Sequence, residues 1–116
     1  MTVRRVVPDL HSERPLESRA FYEHVIGLEL RMDMGWIATF VSPTNETAQL
    51  TVMTADARAP VTPNVSIEVD DVDDVHSRAV AAGYEIVYAI GEEPWGVRRF
   101  FVRDPNGVTV NVMQHL

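Results

Sequence analysis

Chemistry in a chain of 116 residues with no Cys must come from histidines, carboxylates, hydroxyls and amides. Thiolate sites and disulfides are excluded at once. The four histidines, His11, His24, His76 and His115, show no clustered ligand spacing, so each reads as a surface or packing residue. Ser12, Ser18, Ser42, Ser66 and Ser77 lie in no nucleophile-elbow context, and no Gly-rich loop opens a helix to hold phosphate. The acids of "DDVDDV" lack the alternating spacing and the glycine of a calcium loop, and they suit a helix start instead. Two features remain. Glu68, in the alternating "VSIEV", has the chemistry of a lone general base or of a paired buried carboxylate. Trp95, in "GEEPWG", stands behind two acids and a proline and ahead of Gly96, a setting that exposes a large ring unless a neighbour or a ligand covers it. An aromatic face is worth about 0.5 to 2 kcal/mol to a cation placed over it, and Glu92 and Glu93 would add to that attraction.

The elements that must position these residues come in two copies. "FYEHVIGLEL" and "SRAVAAGYEI" share an apolar helical run, a Gly, an apolar residue, Glu and another apolar residue, with Gly27 and Gly83 at matching places. Around each Gly the same order recurs: strand, helix, then three strands. "VRRVVPDL" is the first strand. "PLESRAFYEHVI" has Pro15 near its start and apolar residues at Leu16, Ala20, Phe21, Val25 and Ile26, which predicts one helix with a core-facing stripe, stopped by Gly27. "LELRMD", "WIATFV" and "AQLTVMT" follow as strands, broken by a Gly and by "SPTNET". In the second half, Val65, Ile67 and Val69 alternate with Ser66 and Glu68. A helix then runs to Gly83, and "YEIVYAI", "VRRFFVRD" and "GVTVNVMQ" complete the set, the last two joined by a Pro-Asn-Gly turn. The expectation is an α+β fold of two tandem βαβββ modules, about 1–58 and 59–116, in a single domain. Alternation puts Arg99, Phe101 and Arg103 on one side of their strand and Arg98, Phe100 and Val102 on the other. Trp36, Ala38 and Phe40 likewise share one face, and Phe40 and Phe100 read as core.

Bulk properties narrow the partners. Ten basic against 17 acidic residues give a net charge of −7, which argues against nucleic acid and anionic lipid surfaces. No apolar run approaches the roughly 20 residues of a membrane span. "MTVRRVVPDL" lacks the apolar region and cleavage site of a signal peptide, so the expected location is cytoplasmic.

With "AFYEHVIGLEL", "IEVDDVDDV" and "FFVRDPNGVTVNV" in this order, the whole chain resembles the vicinal oxygen chelate superfamily, which includes glyoxalase I, extradiol dioxygenases, fosfomycin-resistance transferases and bleomycin-resistance proteins. The resemblance implies that the paired modules form a curved-sheet cup. It also implies a metal bound by residues on the inward strand faces, and here the sequence departs. The two usual His positions fall at Val7 and Asn64, the last-strand carboxylate at Asn111, and the extra carboxylate near Gln49 or Thr51. Neither Val nor a neutral amide is a good divalent-metal ligand, so the expectation is no metal and no cofactor. "VVPDL", "IGEEPWG" and "RDPNG" are closest to the metal-free bleomycin-resistance branch, where the Trp of Pro-Trp-Gly stacks on the ligand. By that likeness Trp95, Arg99, Phe101, Thr109, Asn111 and Met113 line the cup, and Asn64 and Glu68 face it too, with Arg99 as a plausible partner for Glu68. Trp36 is a further candidate for the lining. Two-fold dimers are usual in the family, so a homodimer is expected. Two readings follow: a binder that sequesters an aromatic, cationic small molecule such as an antibiotic, or a lyase, isomerase or dioxygenase-like enzyme of the same fold using Glu68 or a metal at atypical ligands.

Overall fold

Alternating β-rich runs, each closed by a glycine or a turn, become eight strands, and the two runs that end at Gly27 and Gly83 become helical. The computed structural model describes residues 2–116, and Met1 and the side chain of Leu16 lie outside the described residues. The strands are β1 (Val3–His11), β2 (Glu29–Asp33), β3 (Ile37–Val41), β4 (Gln49–Met53), β5 (Val65–Val69), β6 (Ile86–Glu93), β7 (Val97–Arg103) and β8 (Thr109–His115). Helix α1 (Pro15–Ala20) precedes β2, and α2 (Val72–Ala81) precedes β6. The fold is α+β with a mixed sheet in the order β2-β3-β4-β1-β5-β8-β7-β6. Residues 7–62 form one compact unit, and residues 63–116, joined by the chain up to Val6, form another.

In the unit of residues 7–62, β1 runs parallel to β4, while β4 with β3 and β3 with β2 are antiparallel. The expected single helix is two pieces. After α1 the chain continues as a π-helical turn, Phe21–Ile26, whose end is marked by the Gly27 N–H donating to the Tyr22 carbonyl five residues back, at 3.1 Å. Gly27 then takes φ +92°, the left-handed stop that the sequence indicated. The expected core-facing stripe is corrected: Phe21 is 47% exposed, Val25 70% and Ile26 55%. A π turn advances each residue by less angle than an α turn, so spacing read at 3.6 residues per turn no longer predicts one face. Tyr22 is the aromatic turned inward, its ring 5.6 Å from that of the fully buried Phe40.

In the other unit, β5 is parallel to β8, and β8 with β7 and β7 with β6 are antiparallel. Here the helix is regular. Asp71 accepts the Asp74 N–H at 3.1 Å as N-cap, the Val72 N–H donates to Gln114 Oε1, and Arg98 clamps Asp73 at 2.9 Å. That guanidinium beside Asp73 holds its carboxyl below the usual carboxylate range. One sheet face packs on α2 through Val69, Val72, Phe100 and Val112, with Ile67, Val75, Ala79 and Val110 around them. Phe100 also meets the His76 ring edge-on at 4.9 Å, so that histidine packs against the core. In the β7–β8 turn Asp104 accepts the N–H groups of Asn106 and Val108, and Gly107 takes φ +86°, which fixes the register of the last hairpin. Strand β6 reaches Glu93, three residues beyond the predicted "YEIVYAI".

Candidate functional site

Because strand side chains alternate, the residues that do not face α2 on β5, β8, β7 and β6 share the opposite face. The register arranges them in straight rows. Ser66 pairs with Asn111, Asn111 with Phe101, and Phe101 with Tyr88. In the next row Glu68 pairs with Met113, Met113 with Arg99, and Arg99 with Gly91. His115 faces Val97, and Val97 faces Glu93, in a third. Six predicted site residues, Glu68, Trp95, Arg99, Phe101, Asn111 and Met113, therefore belong to one sheet and its β6–β7 turn. Trp36 belongs to the unit of residues 7–62, where it lies just ahead of β3 and its carbonyl accepts the Thr54 N–H at 3.1 Å.

The centre of this face is a cation enclosed by rings. The Arg99 guanidinium carbon lies 5.0 Å from the Trp95 ring centre, 5.0 Å from Phe101 and 5.2 Å from Tyr88. Arg99 Nη2 donates to Glu93 Oε2 at 3.2 Å, with both side chains nearly inaccessible to solvent. The Tyr88 hydroxyl donates to the other oxygen, Glu93 Oε1, at 2.9 Å. Burial first, and then this bond to an anion, push the Tyr88 phenol above its ordinary value. Trp95 is half-buried, with a neighbour, the chain's own guanidinium, against it. One expectation is corrected here: Glu93 neutralises that guanidinium instead of adding to an open acidic field. Sequence reasoning missed Tyr88 and gave Glu93 a different role, and the β6–β7 hairpin register was the signal that would have placed them.

Glu68 is held by Arg5 and His115. Arg5 Nε lies 2.9 Å from its Oε1 and His115 Nδ1 3.2 Å from its Oε2. A lone base needs an oxygen open to substrate, and both oxygens of Glu68 carry a neighbour. Asn64, one residue ahead of β5, uses its side-chain oxygen to accept the Thr109 N–H at 2.9 Å while its own N–H donates to the Thr109 carbonyl. It ties two strands together. Asn111 differs from both. It is 6% exposed, its Nδ2 donates to Ser66 Oγ at 3.0 Å, and its Oδ1 is buried with no hydrogen-bond partner among the described residues.

A family model described as the Glyoxalase/Bleomycin resistance protein/Dioxygenase superfamily matches residues 9–112. The chain belongs to that superfamily. Among solved structures, one described as an NAD-dependent benzaldehyde dehydrogenase from Legionella pneumophila is 16% identical, with a TM-score of 0.75 over 96% of this chain and 99% of that one. A superfamily member from Vibrio splendidus 12B01 is 19% identical, with a TM-score of 0.69 over 97% and 99%. A Mn(II)-bound glyoxalase from Novosphingobium aromaticivorans is 23% identical, with a TM-score of 0.66 over 97% of this chain and 38% of that one. Identities this low carry the fold alone. The comparison with curated proteins finds no match.

The superfamily's metal finds a poor donor set here. Val7 has no donor atom, the Asn64 oxygen is taken by a backbone N–H, and Thr51 binds Asp9 through its hydroxyl. Gln49 donates to the Glu46 carbonyl at 2.6 Å. Among the described residues no three His, Asp or Glu side chains cluster as a metal site. A divalent ion needs several imidazole or carboxylate ligands held together, and these residues do not fit it. Among the same residues no helix is long and apolar enough to cross a membrane.

Proposed function

We propose that this superfamily member binds a small, flat aromatic molecule without a metal ion, and that it sequesters the molecule instead of transforming it, as the likeness to bleomycin-resistance proteins implies. The observation that carries the reading is the composition of the two central rows. Where the superfamily's chemistry asks for a last-strand carboxylate, Asn111 offers an amide paired with Phe101, and the next row sets Met113 beside Arg99, whose guanidinium lies against the half-buried Trp95. Apolar and aromatic walls with a few fixed polar atoms are the usual makeup of a small-molecule site. Aromatic ligands gain from offset or edge contacts with such rings, about 0.5 to 1.5 kcal/mol beyond burial.

The experiment is a fluorescence titration. Trp36→Phe leaves Trp95 as the one reporter, and a panel of polycyclic aromatic probes, with and without EDTA, supplies the ligands. Saturable quenching unchanged by EDTA is expected. Silence across the panel, or binding that appears only after a divalent ion is added, overturns the reading.

A further inference from the structure

The buried Asn111 oxygen and the filled aromatic cage together select a class of ligand. We infer that the ligand of this face is an uncharged aromatic carrying an in-plane O–H or N–H donor, of the phenol, lactam or imide kind, and that organic cations are excluded. The inference rests on the binding role just proposed and specifies its chemistry.

The donor follows from hydrogen-bond accounting. A carboxamide has two donor hydrogens and an acceptor oxygen, and Asn111 commits a donor to Ser66 Oγ while Oδ1 has no hydrogen-bond partner among the described residues. An unmet buried acceptor costs about 1 to 3 kcal/mol, so such groups in native proteins are met by a water, an ion or a ligand, or are retained for a function. Its two register partners, Ser66 on β5 and Phe101 on β7, flank Asn111 on both sides, so the residue sits on an inner strand of the sheet and not at an edge. What completes it is a proton donor. A ligand offering only acceptors would oppose lone pair to lone pair.

The absence of charge follows from pairing. Arg5 lies against Glu68, Arg99 against Glu93 and Arg103 against Glu85, so each of these arginines is compensated by a carboxylate. An organic cation would normally be drawn to rings such as Trp95, Tyr88 and Phe101, but the Arg99 guanidinium lies within 5.2 Å of all three centres. A second cation there would meet like charge at short range. A carboxylate ligand would in turn compete with Glu93 for Arg99 and strand a buried anion.

The test uses the full chain and three probes of one ring size: 2-naphthol, its methyl ether, and a naphthyl trimethylammonium salt, measured by calorimetry. The naphthol should bind at least 10-fold more tightly than the ether, and the ammonium salt should bind most weakly. Asn111→Leu should remove the preference for naphthol over ether while both still bind. The double variant Arg99→Met with Glu93→Gln, which empties the cage without stranding a charge, should gain affinity for the ammonium salt. Equal or tighter binding of the ether to the parent overturns the donor assignment, and would mean that Oδ1 serves an internal water. Tight ammonium binding by the parent overturns the exclusion of cations. If none of the three probes binds, the binding role itself fails. If they bind without discrimination, only the ligand class fails.

Discussion

Set the two units side by side and the same strand order gives two different faces. In residues 7–62 the central row across β1, β4, β3 and β2 reads Asp9, Thr51, Thr39, Met32. The equivalent row across β5, β8, β7 and β6 reads Ser66, Asn111, Phe101, Tyr88. In the first row the Thr51 hydroxyl donates to the buried Asp9 carboxylate, so the polar groups serve each other. In the second, aromatic rings replace threonine and methionine, and an amide oxygen is left unmet. The helices differ in the opposite sense. Helix α2 is capped by Asp71 and packs Val72 against Phe100, whereas α1 has no side-chain cap and runs into a π turn with its apolar residues outside. In the duplicated architecture one copy pairs the polar groups of its central row, and the other leaves an amide oxygen without a partner among the described residues.

The largest effect should come from the helix sides. Phe100→Ala empties a fully buried position under α2 and is expected to cost about 3 to 5 kcal/mol, while Phe21→Ala, on the exposed π turn, should stay within about 0.5 kcal/mol. Urea denaturation of both variants measures the contrast, and similar losses would break it. A smaller and more diagnostic difference is expected on the opposite faces. Asp9→Leu leaves the Thr51 hydroxyl without its acceptor and should destabilise by about 1 to 3 kcal/mol. Asn111→Leu removes an amide whose oxygen was already unmet, and the same denaturation should place it within about 1 kcal/mol of the parent.

The smallest effect concerns pH. Because the folded state raises the Tyr88 phenol, the stability it confers is complete below the unfolded value of about 10 and is lost as pH rises through the folded one. The parent should therefore lose more stability between pH 9 and 11.5 than Tyr88→Phe does, when denaturation midpoints of the two are compared. At pH 7 the variant should be weaker by about 0.5 to 1.5 kcal/mol, the worth of one hydrogen bond. Parallel alkaline limbs would show that Tyr88 is not held by Glu93.

The fold was readable because its signals are local. Gly27 and Gly83 repeat, β5 alternates, and the acids before Val72 announce a cap. The face on which Glu68, Arg99, Phe101, Asn111 and Met113 lie was also readable, since side-chain alternation has a period of two. Partnership across strands was not. Nothing near Arg99 in sequence distinguishes Glu93 from Glu68 as its counterion until the hairpin register is known, and Arg5 reaches Glu68 from the far end of the chain. The π turn escaped for a different reason: "FYEHVIG" has ordinary helical composition, and only the reach of Gly27 back to Tyr22 reveals the extra residue in the turn.

Strand β1 is apportioned between the two units, its residues up to Val6 counting with 63–116 and the rest with 7–62. The Thr2 N–H bonds Asp70 at 2.7 Å and keeps that carboxyl acidic, and Arg5 is the counterion of Glu68. Scissors applied at the midpoint of the duplication would therefore leave the later fragment short of an arginine and a tether encoded more than 60 positions upstream. The repeat is thus not separable where it repeats, and splitting the gene would call for a circular rearrangement that returns the opening residues to the fragment that uses them.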